Sequence, residues 1–304
     1  MDRAHAEFFE ETANVRPLLM PVVQFPDGDY HVDSTPIMRH LDARYGGARS
    51  ACPADAATLF LNDLVEDFAD EWLTKSLFHY RFGTDVDSEA GAAWVMDDAY
   101  VGLDAETLSE RVRDFVQRQH ARKALVGATP ANAALFENCY LRVMALMERW
   151  VATDRFAFGS RPATADFALY GQLRTLATDP TPAQLMRTHA PRLRHWLKRV
   201  DDLSGVDGEW DGLDAVVDRL EPLLELSGTF YLPFLKANFA AVRAGASVVE
   251  VELAGHQYAQ APFRYQAKCY AQLVAAYDAL PARAREALQP VLARTGCEPF
   301  LTNT

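Results

Sequence analysis

The sequence predicts a protein of the α+β class that is mostly α-helical. Three observations predict it. Between residues 20 and 47, two short β-type runs around a turn lead into one helix. From Asp55 onward, apolar residues recur at helical spacing in one segment after another. Within that helical part, Val248–Leu253 alternates with period two and Gln257–Gln260 can pair back, which predicts one small β-hairpin.

The first hairpin is predicted by the runs Val22–Phe25 and Tyr30–Val32. They flank the tetrapeptide Pro26-Asp27-Gly28-Asp29, in which Pro and Gly set the dihedral angles of a turn. The second run leads directly into the next helix, whose apolar positions begin at Ile37 and which ends at the glycine pair 46–47.

The start of that helix reads Asp33-Ser34-Thr35-Pro36. Asp, Ser and Thr are common N-caps, and Pro suits a first helical turn. The free N–H groups and the dipole of a helix start also favour a carboxylate ligand, to which the Ser34 hydroxyl can add a hydrogen bond. The local residues leave both interpretations open and favour Asp33 and Ser34 as plain caps.

Composition excludes several classes of function. The chain has 304 residues, a net charge of −12 and a pI near 5.1. Its length predicts two or more domains. An acidic protein does not suit nonspecific binding to nucleic acid or to an anionic membrane, since both need a basic face. We also find no apolar run of membrane-spanning length and no signal peptide.

Cysteine usage points to the cytoplasm. The four cysteines lie far apart and form no C-x-x-C pair, which favours reduced thiols over disulfides or a zinc site. Cys139 and Cys269 lie within apolar helical patterns and are expected to be buried. Cys297 lies in a segment expected to be exposed, so a redox role for its thiol is a weaker alternative.

The helical part contains a run of acids on one helix. The pattern favours a solvated helix face over a metal site, because no ligand spacing such as H-E-x-x-H accompanies the acids. Further along, residues 83–103 contain three glycines and several acids and are expected to be an irregular loop. The acids of the run are Asp63, Glu66, Asp67, Asp70 and Glu71.

A second informative stretch is Gly159–Phe167, where a turn at Gly159 and Pro162 precedes a strongly apolar helix. Asp166 falls in the first turn of that helix, where a carboxylate can accept hydrogen bonds from free N–H groups. We therefore expect Asp166 to be a structural cap with a lowered pKa, and a buried catalytic carboxylate is the alternative.

Taken together, the stretches 20–41 and 159–167 resemble the glutathione transferase superfamily. The resemblance implies a thioredoxin-like N-terminal unit, of which this chain carries the second half, followed by an all-helical domain. Pro21 then corresponds to the family's cis-proline. Asp33 and Ser34 correspond to the acid-Ser pair that holds the γ-glutamyl end of glutathione, and the backbone of Met20 bonds its cysteinyl part.

The resemblance also divides the chain. It implies a partial thioredoxin-like unit at 1–47, an all-helical domain at 55–203, and a mostly helical C-terminal extension with the small hairpin at 204–304. The family's catalytic Tyr, Ser or Cys precedes the region that corresponds to Pro21, and only 20 residues are present there. No catalytic residue can therefore be assigned. Ala163 stands where the family usually has a capping Ser or Thr.

The implied function is glutathione binding, with conjugation of its thiol to a small electrophile as the associated reaction. Glutathione is then the substrate, with no metal required, and a homodimer is a candidate assembly because members of the family are commonly dimers. Trp72, Phe78 and Tyr80 are candidates for the electrophile pocket. The alternative is a non-catalytic binding or scaffold protein, since the residue that would stabilise a thiolate has no counterpart.

Overall fold

The computed structural model describes Val15 and residues 20–302. This part of the chain is mostly α-helical and has two small antiparallel sheets, which confirms the predicted class. None of its helices combines the length and the apolar character needed to cross a bilayer. The strands are β1 Val22–Gln24, β2 Tyr30–Val32, β3 Val249–Leu253 and β4 His256–Gln260.

The described residues form fourteen α-helices. A single helical segment, Ala56–Arg81, contains a π-turn at Ala69–Leu73. Two further π-turns occur in the described chain, one at Asp42–Gly46 after the first helix and one at Ser227–Tyr231 between two later helices. The helices are α1 Ser34–Leu41, α2 Ala56–Phe68, α3 Thr74–Arg81, α4 Asp85–Ala99, α5 Ala105–Arg122, α6 Ala133–Trp150, α7 Thr164–Leu176, α8 Pro180–His189, α9 Pro191–Val200, α10 Leu213–Leu226, α11 Leu232–Ala244, α12 Arg264–Asp278, α13 Ala282–Arg294 and α14 Glu298–Leu301.

The N-terminal unit consists of β1, β2 and α1. The strands pair in the register Val22↔Val32 and Gln24↔Tyr30. Gly28 has a φ of 93°, the left-handed region that glycine enters without strain, and its N–H donates to the Phe25 carbonyl at 2.9 Å. The Met20–Pro21 peptide bond is cis. The hairpin thus leads directly into α1, because β2 ends two residues before the helix begins.

One hydrophobic core runs through both the 55–203 and the 204–304 regions. Trp72 lies at its centre with 0% exposure. Its ring packs against Phe136 of α6 at 5.9 Å, Phe234 of α11 at 5.6 Å and Tyr258 of β4 at 5.9 Å between centroids. The C-terminal region therefore completes the core of the preceding helices.

The expectation of an irregular loop at 83–103 is wrong, because α4 occupies Asp85–Ala99. Thr84 caps this helix and accepts from the Asp87 N–H at 3.1 Å. The glycine within it, Gly91, serves packing: a Cβ there would lie 2.8 Å from Nε of Arg81. That guanidinium pairs with Asp179 at 2.8 Å, so the glycine makes room for a buried ion pair.

Asp166 makes the contacts of a structural cap at the start of α7. Its two carboxylate oxygens accept from the Ala157 N–H at 2.8 Å and from the Ala163 N–H at 2.9 Å. The expected lowering of its pKa is wrong. Burial outweighs the two N–H bonds and raises the pKa of Asp166 to about 7.

Asp166→Asn is expected to lower the free energy of unfolding by about 2 kcal/mol, because the new amide group faces a buried N–H that has lost its acceptor. Chemical denaturation at pH 7 measures the loss. The matched control is Asp104→Asn, in which Asn replaces the exposed N-cap of α5 and caps as well as Asp. Equal losses in the two variants would contradict the buried capping role of Asp166.

Candidate functional site

A cavity of about 710 Å³ lies where three parts of the chain meet. One wall is the start of α1, the second is the Ala56–Arg81 segment, and the third is α12 of the C-terminal region. From the N-terminal unit, the cavity is lined by Met20, Asp33, Ser34, Thr35 and Arg39. This volume is within the range of small-molecule sites.

Three of the four residues predicted to contact glutathione therefore line one cavity, and Pro21 does not. Pro21 lies behind the site, where its carbonyl accepts from the Asp33 N–H at 3.1 Å. That bond attaches the chain before β1 to the start of α1. Met20 lies at the mouth, and its side chain is 73% exposed.

Asp33 does not cap α1 with its side chain, so the interpretation as a plain cap is wrong for this residue. Its backbone has a φ of 76°, which is uncommon for a residue with a Cβ. Its Oδ2 accepts from the Tyr265 hydroxyl of α12 at 2.9 Å. The carboxylate is thus directed toward the C-terminal wall, and the N–H groups of Ser34 and Thr35, which have no intrahelical acceptor, are left at the helix start.

The second wall carries the acid run. The pattern favours a solvated helix face, but the acids instead line the cavity. Residues of the C-terminal region bond two of them, Tyr231 to Asp67 and Gln266 to Glu71. Glu66 is 3% exposed and accepts from the Thr35 and Thr164 hydroxyls, each at 2.7 Å. Among the described residues, six carboxyl groups line the cavity, at positions 33, 63, 66, 67, 70 and 71, against the two basic groups of Arg39 and Lys75.

This crowding changes the titration of the acids. Burial and the neighbouring carboxyl groups raise the pKa of Asp67 to about 8 and that of Asp70 to about 7. The Tyr231 hydroxyl donates to Asp67 at 2.6 Å and opposes part of that rise. Asp63 forms an ion pair with Arg39 at this wall. The carboxyl groups of Asp67 and Asp70 are therefore only partly ionised near neutral pH.

Lys75 closes the inner end of the cavity with 0% exposure. Its Nζ donates to Oε1 of Gln260 at 2.7 Å and to the Val126 carbonyl at 3.1 Å, and it lies 4.5 Å from the centroid of the Phe234 ring. Burial lowers the pKa of Lys75 to about 7. Lys75 thus fastens strand β4 to α3, and of the acid run its charge acts on Glu71.

The third wall was missed by sequence reasoning. Gln266 is 2% exposed, and its Nε2 donates to the Glu71 carbonyl at 3.0 Å. Its Oε1 has no hydrogen-bond partner among the described residues. Cys269 is buried as expected, and burial with nearby Asp67 raises the pKa of its thiol, which disfavours a thiolate nucleophile.

A sequence signal for the acidic wall was present. The acids and the polar residues after them recur three to four residues apart, at 63, 66–67, 70–71 and 74–75, which is one face of a helix. The opposite face is strongly apolar, so this helical segment is strongly amphipathic. Nothing in that pattern shows that a helix about 200 residues later covers the polar half.

The residues suggested for an electrophile pocket do not line this cavity. Trp72 is a core residue, and the Tyr80 ring packs against Tyr140 at 5.3 Å. Phe78 packs against Phe82 at 5.4 Å. Cys297, expected to be exposed, is buried with 0% exposure and donates to the Leu224 carbonyl at 3.3 Å, so an exposed redox thiol at this position is excluded.

Across the described residues, no group of three or more His, Cys, Asp or Glu side chains is arranged to hold a metal ion. Comparison with known proteins finds no matching family model, no matching curated protein and no matching solved structure. The function is therefore argued from the cavity itself.

Proposed function

We propose that this chain is a glutathione-transferase-like protein that binds glutathione in the cavity through the γ-glutamyl end. The observation that carries the proposal is the pairing of Asp33 and Ser34 at the start of α1, both lining the cavity. The γ-glutamyl end bears a carboxylate and an ammonium group on one carbon. Such a group needs a donor site and an acceptor site side by side.

The donor site is the start of α1. The N–H groups of Ser34 and Thr35 and the Ser34 hydroxyl can all donate to the ligand carboxylate, and the helix dipole favours its charge. Pro36 has no backbone N–H, so the first turn of α1 has one donor fewer that would need a partner. The acceptor site is Asp33, since the Tyr265 hydroxyl fixes Oδ2 and leaves Oδ1 for the ammonium.

The chemistry of the cavity favours binding over conjugation. A thiol becomes a nucleophile when a positioned donor or a positive charge lowers its pKa. Here the second wall carries carboxyl groups, which raise the pKa of a nearby thiol, as they do for Cys269. A non-catalytic binding protein is therefore the leading form of the proposal.

Conjugation is the second candidate, and Tyr265 is the observation that favours it. Its hydroxyl enters the cavity from α12 and is a hydrogen-bond donor that could turn from Asp33 to a ligand sulfur. A conjugation assay with 1-chloro-2,4-dinitrobenzene separates the two candidates. Turnover that Tyr265→Phe abolishes would support conjugation, whereas glutathione binding without turnover supports the binding protein.

Ser34→Ala is expected to weaken glutathione binding about tenfold, because a hydrogen bond to a charged carboxylate contributes about 1.5 kcal/mol or more. Isothermal titration calorimetry on the full chain measures the change. S-methylglutathione should bind as well as glutathione, whereas N-acetylation of the γ-glutamyl amine should abolish binding.

The matched control is Ser109→Ala on the exposed surface of α5, where the hydroxyl donates only to the Ala105 carbonyl. This variant should bind glutathione like the unmodified chain. Equal binding by the Ser34→Ala variant, or undiminished binding of the N-acetyl derivative, would overturn the proposed γ-glutamyl site.

A further inference from the structure

We propose that the acidic wall of the cavity binds the ammonium group of a second ligand, an organic amine with an apolar body. The inference deepens the proposed function, because it names the class of compound that would share the cavity with glutathione. Glutathione, bound as proposed, uses the start of α1 and leaves Asp67, Asp70 and Glu71 without a ligand group.

The charges of this wall are not balanced within the protein. In the described part of the chain, Asp67, Asp70 and Glu71 form no ion pair with a basic side chain, while Arg39 is engaged by Asp63. Lys75, the other basic group of the cavity among the described residues, donates to a carbonyl and to an amide oxygen, and its charge acts on Glu71. Among the described residues, Asp67 and Asp70 therefore lack a counter-charge, which a ligand cation would supply.

An independent observation points to a ligand that donates hydrogen bonds. Gln266 is 2% exposed and lines the cavity opposite the acids, yet its Oε1 lacks a partner among the described residues. A buried amide oxygen without a donor costs about 1–3 kcal/mol. An alkylammonium group carries three N–H donors, so it can satisfy this oxygen and two carboxylates at once.

The remaining lining indicates what the amine is attached to. Val126, Phe263, Leu273 and Ala276 give the same cavity an apolar surface beside the acids. Phe263 is 40% exposed and lies at the edge, where a ligand would enter. A bare cation would leave this surface unused, whereas an alkyl or aryl amine would cover it.

Binding of the cation is coupled to proton release. The pKa values of Asp67 and Asp70 are raised to about 8 and about 7, so both groups are largely protonated below pH 6.5 in the free protein. The charged form is the one that a cation prefers, so affinity should fall about tenfold per pH unit below these values for each carboxyl that must ionise. The groups that face these two acids are Glu66 and Glu71 on the same segment, and Asp33, Gln172, Tyr231 and Cys269 on other elements.

The experiment is calorimetric titration of the full chain at pH 8 with three probes of equal length: hexylamine, hexanol and hexanoate. Hexylamine should bind and the other two should not, with or without glutathione. At pH 6.5, hexylamine should bind more weakly and release protons, which appear as a dependence of the measured heat on the ionisation enthalpy of the buffer. Equal binding of hexanol would overturn the inference, as would the absence of hexylamine binding.

Two variants locate the site. Asp70→Asn and Gln266→Leu should each weaken hexylamine binding about tenfold, and Asp70→Asn should also reduce the proton release. The matched control is Asp214→Asn, an exposed acid on α10, which should leave both unchanged. Because Asn resembles a protonated Asp, the Asp70 variant is expected to fold. Undiminished hexylamine binding by both cavity variants would overturn the inference.

The two proposals fail separately. Glutathione binding without hexylamine binding would overturn only the amine site. Hexylamine binding without glutathione binding would overturn only the γ-glutamyl site.

Discussion

Trp72→Ala is expected to lower the free energy of unfolding by about 4 kcal/mol, the range found when a buried Trp is truncated. The Trp72 indole is fully buried and contacts aromatic rings from both halves of the helical core. Its removal leaves a large cavity, which the neighbouring rings on three different elements can fill only in part. Chemical denaturation followed by circular dichroism at 222 nm measures the loss.

The matched control is Trp94→Ala, in which the same truncation is made at a residue of α4 that is 45% exposed. This variant should differ from the unmodified chain by about 0.5 kcal/mol at most. A loss below about 1 kcal/mol at Trp72 would contradict its place at the centre of the core. It would also reopen the interpretation of this residue as part of a ligand pocket.

Gly228→Ala is expected to lower the free energy of unfolding by about 3 kcal/mol, because two backbone segments meet there at a distance that leaves no room for a methyl group. A Cβ on Gly228 would lie 2.2 Å from the Thr295 carbonyl oxygen and 3.1 Å from the Cys297 nitrogen. Backbone atoms cannot turn aside as a flexible side chain can. Thermal and chemical denaturation measure the effect.

The control is a glycine at which the same substitution should raise the free energy of unfolding. Gly171 lies within α7, and a Cβ there would contact nothing within 4 Å. Gly171→Ala should therefore raise the free energy of unfolding by about 0.5–1 kcal/mol, since Ala favours a helix over Gly. A destabilising effect of similar size in both variants would show that the close approach at Gly228 is not the cause.

Local features were predictable because local residues determine them. The Pro26–Asp29 turn fixes the hairpin, and the period-two alternation from Val248 predicts β3. Most helices after residue 55 follow from the spacing of their apolar residues, and α4 is the exception. In the site, Met20, Asp33 and Ser34 lie close together in sequence, and the start of α1 brings them to one cavity wall.

The rest of the site depends on contacts between distant residues. An acid such as Asp67 looks the same in sequence whether water or another part of the chain covers it, and here Tyr231 and the α12 residue Cys269 lie against it. The same holds for Asp33, whose carboxylate is held by Tyr265, 232 residues away. Trp72 shows the converse: an apolar ring at helical spacing suits a core as well as a ligand site, and here it lies in the core.

The meeting of Gly228 with Thr295 has a consequence for synthesis of the protein. Ribosomes add about 5–20 residues per second, so the two sides of this contact are made several seconds apart. For much of that interval the helices already made lack α12 and α13, whose Leu273, Leu288 and Leu292 belong to the same core. Nascent chains of this protein therefore expose a large apolar surface, and their yield in cells should depend on chaperones that shield such surfaces until residues near 300 emerge.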